Sequence, residues 1–131
     1  MAGGRPLAED HGFRERVAAL EVELKALELT QMRVIAESTS AATGKPDPKS
    51  SILKLKGSEL QQAATELLLE VAGFEAMEFD PDFLAGAEET HGAAEWSATI
   101  APNHYWIRHV SIVGGSNEIQ RNILATSVLG L

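Results

Sequence analysis

The chain has 131 residues, 44% hydrophobic and 23% charged, with a formal charge of -8 and no cysteine. That length supports one domain with a modest core, and the balance of apolar and charged residues excludes wholesale disorder. The acidity argues against nucleic acid or an anionic membrane surface as partner, since either needs a basic face, and the absence of cysteine excludes disulfides and thiolate metal clusters.

Met1 to Asp10, with Gly3-Gly4 and Pro6, reads as an irregular lead-in whose last residue is placed to cap a helix. Residues 1–12 are therefore set apart from a helical domain over 13–131. From Phe13 the apolar positions Phe13, Val17, Leu20, Leu24 and Leu27 recur at steps of four and three, the seam of a packed helix. Val22, Ala26 and Leu29 add apolar surface on another side, so this helix is expected to meet more than one neighbour. Ala41 to Pro48 ends it with a glycine and two prolines. Asp47 as N-cap and Pro48 as first helical residue then open a second helix. Its seam runs through Leu53, Leu60, Ala64, Leu67 and Val71, widened by Leu68 and Leu69, until Gly73 stops it. Gly57 inside it costs about 1 kcal/mol relative to alanine, which close helix packing would explain. Lys54, Lys56 and Glu59 read as a solvated face.

Between Phe74 and Pro102 the periodicity weakens into a long connection with room for one short helix; such a loop is usually functional, partner-covered or mobile. Glu88, Glu89, His91 and Glu95 read as surface charges within it. A helix is expected again over Asn103 to Val113, packing through Tyr105, Trp106, Val110 and Val113. A last helix opens at Ser116 or Asn117 and runs through Leu129, with Ile119, Ile123, Leu124 and Val128 on its apolar side. Arg121 is suited either to hold an anion or to pair with an acidic neighbour. The four histidines, His11, His91, His104 and His109, form no metal motif: His104 and His109 lie about 140° apart on a helix, and no metal is expected. Three to five helices and no alternating strand predict an all-α, up-and-down helical bundle. No apolar run approaches the roughly 18 residues of a membrane helix and no targeting segment is visible, so the expected setting is cytoplasmic.

One stretch carries more than scaffold: Ser111-Ile112-Val113-Gly114-Gly115-Ser116-Asn117-Glu118-Ile119-Gln120-Arg121-Asn122-Ile123-Leu124-Ala125. Its glycines permit a sharp turn with positive φ and a close approach to the backbone. Ser116 is a good N-cap, and Glu118 stands in the first turn, where a carboxylate suits the helix dipole. The first N–H groups of such a helix suit a polar or anionic ligand.

This run resembles the C-terminal signature of the flavin-dependent acyl-CoA dehydrogenase family, Gly-Gly-Ser/Thr-x-Glu-Ile-Gln-Arg-Asn-Ile, and like it ends near the chain terminus, in Val128-Leu129-Gly130-Leu131. Ser51-Ile52-Leu53-Lys54-Leu55-Lys56-Gly57-Ser58-Glu59 is similar to a second family signature in the same order, and the likeness extends from about Arg5 to Leu131. The resemblance implies the family's C-terminal helical bundle, a domain that there follows an α-helical domain and a β-domain. Arg5-Pro6-Leu7 looks like the family's Gly-Arg-Pro-Leu segment, which implies a fragment or truncated relative lacking the bundle's first helix.

The implied activity is FAD-dependent α,β-dehydrogenation of an acyl-CoA thioester, in which a carboxylate takes the α-proton and the flavin accepts the β-hydride. Many members place that carboxylate immediately before the Gly-Ser/Thr pair, where this chain has Gly114; others place it on the first bundle helix. No catalytic residue is therefore assigned. The family's cofactor-binding positions carry over to Gly115, Ser116 and Glu118, and to Gly73, although Leu69 stands where relatives often have a glutamine four residues before that glycine. Because much of this surface serves a neighbouring subunit's cofactor in the family, a homo- or hetero-oligomer is implied. The alternative is a non-catalytic helical interaction or assembly module that has lost the active site.

Overall fold

Asp10, just after a 3-10 turn over Leu7–Glu9, opens the first α-helix: its Oδ1 accepts from the Phe13 backbone N–H at 2.7 Å, an N-cap that satisfies one of the otherwise unpaired N–H groups of α1, His11–Ser40. The computed structural model describes residues 6–40, 48–77, 81, 85–86 and 96–131. Among them stand four α-helices and no strand: α1, α2 (Ser50–Ala72), α3 (Ile100–Trp106) and α4 (Asn117–Leu124). None is long and apolar enough to cross a membrane. The chain divides into two compact units, Met1–Val17 with Gln62–Arg108, and Ala18–Gln61 with His109–Leu131.

In the first unit the start of α1 runs antiparallel to the end of α2. Arg16 grips Glu70 with both guanidinium nitrogens, each 2.6 Å from a carboxylate oxygen. α2 ends at Ala72 because Gly73 turns the backbone left-handed, with φ +60, and a 3-10 turn over Gly73–Met77 follows. Ala72, Ala76 and Ala101 form the buried core here, with Leu69 and Ile100 packed against them. α3 starts three residues before the expected Asn103, since Pro102 falls in its first turn, where a missing N–H costs nothing. Tyr105 and Trp106 do not pack as expected: they are 62% and 70% exposed. Asp47, Glu88, Glu89, His91 and Glu95 lie outside the described residues.

In the second unit the remainder of α1 pairs antiparallel with the start of α2. Lys56 bonds Glu23 at 3.2 Å, Lys49 bonds Glu37, and Leu27 faces Gly57. α4 is shorter than expected: a π-helical turn, Ala125–Leu129, takes over and closes on Gly130 in the left-handed region.

The buried line of α2 is a heptad of small residues, Ser51, Ser58, Thr65 and Ala72, flanked by the half-buried Leu53, Leu60, Ala64 and Leu67. Small side chains occupy the most buried line of the helix, and the leucines stand beside it. The Ser58 and Thr65 hydroxyls cost little there, because each reaches back one turn: Ser58 Oγ lies 2.8 Å from the Leu55 carbonyl and Thr65 Oγ1 2.9 Å from that of Gln62. Val71 is exposed, and so are Leu24, Val22 and Leu29 on α1.

Gly57 is half-buried, yet a Cβ built on it meets only Leu27 Cδ2, at 4.0 Å, an ordinary contact. Packing therefore does not require glycine at this position. Gly57→Ala is expected to stabilise the chain by about 0.5–1 kcal/mol through helix propensity, read as a higher urea midpoint with unchanged slope.

Candidate functional site

The Gly-Gly stretch lies in the second unit and is built from the inside out. Ile112 and Val113 both donate their N–H groups to the His109 carbonyl, at 2.9 and 3.0 Å. Gly114 and Gly115 then take φ of +72 and +93, reversing the chain so that Ser116, in extended conformation, becomes the N-cap of α4. Ser116 Oγ accepts from the Ile119 N–H at 3.4 Å. Gln120, only 8% exposed, folds back under the turn and donates Nε2 to the Gly114 carbonyl at 3.1 Å. A Cβ on Gly115 would lie 2.7 Å from that nitrogen. Glycine at 115 is thus fixed by both φ and space.

Glu118 is held below the usual carboxylate range, first by its own backbone N–H, then by the Ser116 hydroxyl, with the positive charges of Arg121 and Lys54 adding to both. The start of α4 is already served by a carboxylate of this chain. An approaching group therefore meets Ser116 and Glu118 mainly as acceptors, which suits amide, amine or hydroxyl donors better than a phosphate. Glu70 is lowered likewise, chiefly by its bonds to Arg16. Both carboxyls bind protons less readily folded than unfolded, so their contribution is full above the usual value of 4.5 and is lost as pH falls through the depressed values. Glu118→Gln is expected to be less stable than wild type at neutral pH, and the gap should close in the acid range; urea midpoints across pH check this.

A second set of contacts joins this turn to α2. Lys54 Nζ donates to the Ser111 carbonyl at 3.1 Å and to Asn117 Oδ1 at 2.8 Å. Ser58 Oγ lies 3.2 Å from the same Asn117 oxygen, so its one proton is shared with the Leu55 carbonyl. Further out, Arg121 pairs with Glu59 at 3.3 Å and approaches Glu118 at 3.9 Å, which resolves its role in favour of acidic neighbours. Lys54 is thus no part of a solvated face. Beside it opens a cleft of about 300 Å³, with Leu53, Val110 and Val113 as apolar wall and Lys54, Ser58 and His109 among its polar lining.

The structure brings Gly115, Ser116 and Glu118 together at one helix start. Gly73 stands in the other unit, where, among the described residues, nothing lies within 4 Å of where its Cβ would be. On α4 the expected apolar side faces out: Ile119 is 52% exposed, and Ile123 and Val128 are exposed as well. The inward face is Asn117, Gln120 and the half-buried Leu124, one helical stripe. The sequence pattern read Lys54 as part of a solvated face and Asn117 only as a possible helix start, and gave no separate role to Ser58 or Gln120. The seven-residue spacing of small residues on α2, and Asn117 and Gln120 in the first turn of α4, were the available signals. No group of three or more potential metal ligands occurs among the described residues.

The two stretches so joined are the two signatures recognised in the sequence, and residues 1–129 match the family model described as acyl-CoA dehydrogenase, C-terminal domain. The chain belongs to this family. Its all-α fold is of the acyl-CoA dehydrogenase C-terminal type. No curated protein and no solved structure matches the chain. Gly114, just before the Gly115-Ser116 pair, is exposed and offers only backbone.

Proposed function

We propose that this chain is the flavin-contacting and subunit-packing domain of an FAD-dependent enzyme that dehydrogenates the α,β bond of an acyl-CoA thioester. The observation that carries this reading is the lock between the family's two signatures: Lys54 and Ser58 on one, Ser111 and Asn117 on the other. In this reading Ser116 and Glu118 receive donor groups of a cofactor and Gly115 allows its close approach to the backbone; Gly73, in the first unit, offers a flavin-contacting position of its own. FAD, when bound, supplies the hydride acceptor. Gly114 has no side chain to accept a proton, and no residue is assigned as the base.

Titration of the purified chain with FAD, followed by flavin fluorescence and by absorbance after desalting, tests the cofactor contact. Uptake that weakens in Gly115→Ala and Ser116→Ala supports it. A chain that forms a stable helical fold yet leaves FAD wholly free points instead to the second reading, a non-catalytic assembly module, which Gly114 favours.

Association supports either reading. Val22, Leu29, Met32 and Ile35 on α1 and Phe74 after α2 are large apolar side chains left exposed, and such surface drives self-association. Light scattering is expected to give a homo-oligomer, and a strict monomer at high concentration would remove that part of the proposal.

A further inference from the structure

Two adjacent glycines with positive φ give the turn before α4 wide conformational freedom, and nothing lies within 4 Å of where a Gly114 side chain would begin. Something outside the turn must therefore fix its ends. The geometry points to Lys54 as the positioning residue: one ammonium on α2 holds both the Ser111 carbonyl, just before the turn, and Asn117 Oδ1, the first residue of α4 just after it.

Three observations single it out. Both acceptors are neutral and the contacts are part-buried, so these are charge-assisted bonds sheltered from water, the strong kind. Ser58, one helical turn along α2, meets the same Asn117 oxygen at 3.2 Å and fixes its direction. A further link from α2 to α4, Arg121 to Glu59, has side chains 55% and 41% exposed, and an exposed ion pair contributes little. Gln120 orders the turn from within by binding the Gly114 carbonyl, but it rides on α4 and cannot set where α4 begins. Lys54 thereby sets where Gly115, Ser116 and Glu118 stand. Its bearing on ligand binding rests on the flavin-contacting reading above, whereas its hold on the turn does not.

Amide hydrogen exchange on the full chain tests the clamp in wild type, Lys54→Met and Lys54→Arg. In Lys54→Met, residues 112–120 are expected to exchange at least about tenfold faster, the equivalent of one charge-assisted hydrogen bond. The α1 amides between Leu20 and Thr30 are expected to keep their rates, and Lys54→Arg, which returns a cation to the same acceptors, to regain protection. Unchanged exchange at 112–120 in Lys54→Met overturns the clamp; so does equal acceleration in α1, which would mean general loosening. FAD affinity is read on the same three proteins by fluorescence. Where wild type binds, a comparable loss in Lys54→Met with recovery in Lys54→Arg supports the positioning role, and an unchanged affinity overturns it. A wild type that binds no FAD counts against the proposed function, and the exchange data then decide the clamp by themselves.

Discussion

Gly115→Ala is expected to destabilise the chain by about 2–5 kcal/mol, through two separable costs. The first is conformational: at φ +93 a side-chain-bearing residue is strained by about 1–2 kcal/mol. The second is spatial. The new methyl would sit 2.7 Å from Gln120 Nε2, so the amide must leave its place under the turn, breaking its bond to the Gly114 carbonyl and stranding a buried polar group, at about 1–3 kcal/mol. Gly114→Ala separates the two, because φ is +72 there but no atom stands in the way; it should show the conformational cost alone. The two costs also predict coupling. With Gln120→Ala in the background, Gly115→Ala should lose its spatial cost, so the double variant is more stable than the sum of the singles implies. Urea denaturation measures all four variants against wild type. A Gly115→Ala no worse than Gly114→Ala would mean that Gln120 is not packed against this glycine.

What the sequence made legible follows from which signals are local. Helix starts and stops depend on a few adjacent residues, and Asp10, Gly73 and Ser116 each perform the role their residue type suggests. Hydrophobic periodicity located α1 and α2 and most of their seams, since Phe13, Val17, Leu20 and Leu27 on α1 and Leu53, Leu60, Ala64 and Leu67 on α2 are half-buried, while Leu24 and Val71 are exposed. It weights a leucine above a serine, and so missed the most buried line of α2, which Ser51, Ser58 and Thr65 take. α3 was misplaced because Pro102 reads as a break, although a helix tolerates proline in its first turn. The largest miss was α4, where Ile119 and Ile123 are exposed while Asn117 and Gln120 are buried. There orientation comes from hydrogen bonds to residues distant in sequence, Lys54 and Ser58, and no windowed pattern reports those. The double-glycine turn was legible as a turn; the lysine that holds it was not.

Asn117→Leu carries the second large effect, a loss of about 2–3 kcal/mol. Asn117 is 9% exposed, and its Oδ1 is the acceptor shared by the Lys54 ammonium and the Ser58 hydroxyl. Leucine fills similar space but accepts nothing, leaving Lys54 with the Ser111 carbonyl alone in a part-buried position. Ser58 loses less, because its proton retains the Leu55 carbonyl at 2.8 Å. The cost therefore concentrates on the ammonium, and two further variants locate it there. Asn117→Asp keeps both acceptors and adds a negative charge in the first turn of α4, where the helix dipole favours it, so it should match or exceed wild type. Lys54→Met in the Asn117→Leu background removes the stranded cation, and since replacing both partners by apolar groups of similar shape can be nearly neutral, the double variant should regain most of the loss. Thermal and urea unfolding read these differences. If Asn117→Leu instead matches wild type, the bond between Lys54 and α4 contributes nothing net to stability, and the start of α4 must be held by Ser116 and Gln120 acting from within the turn.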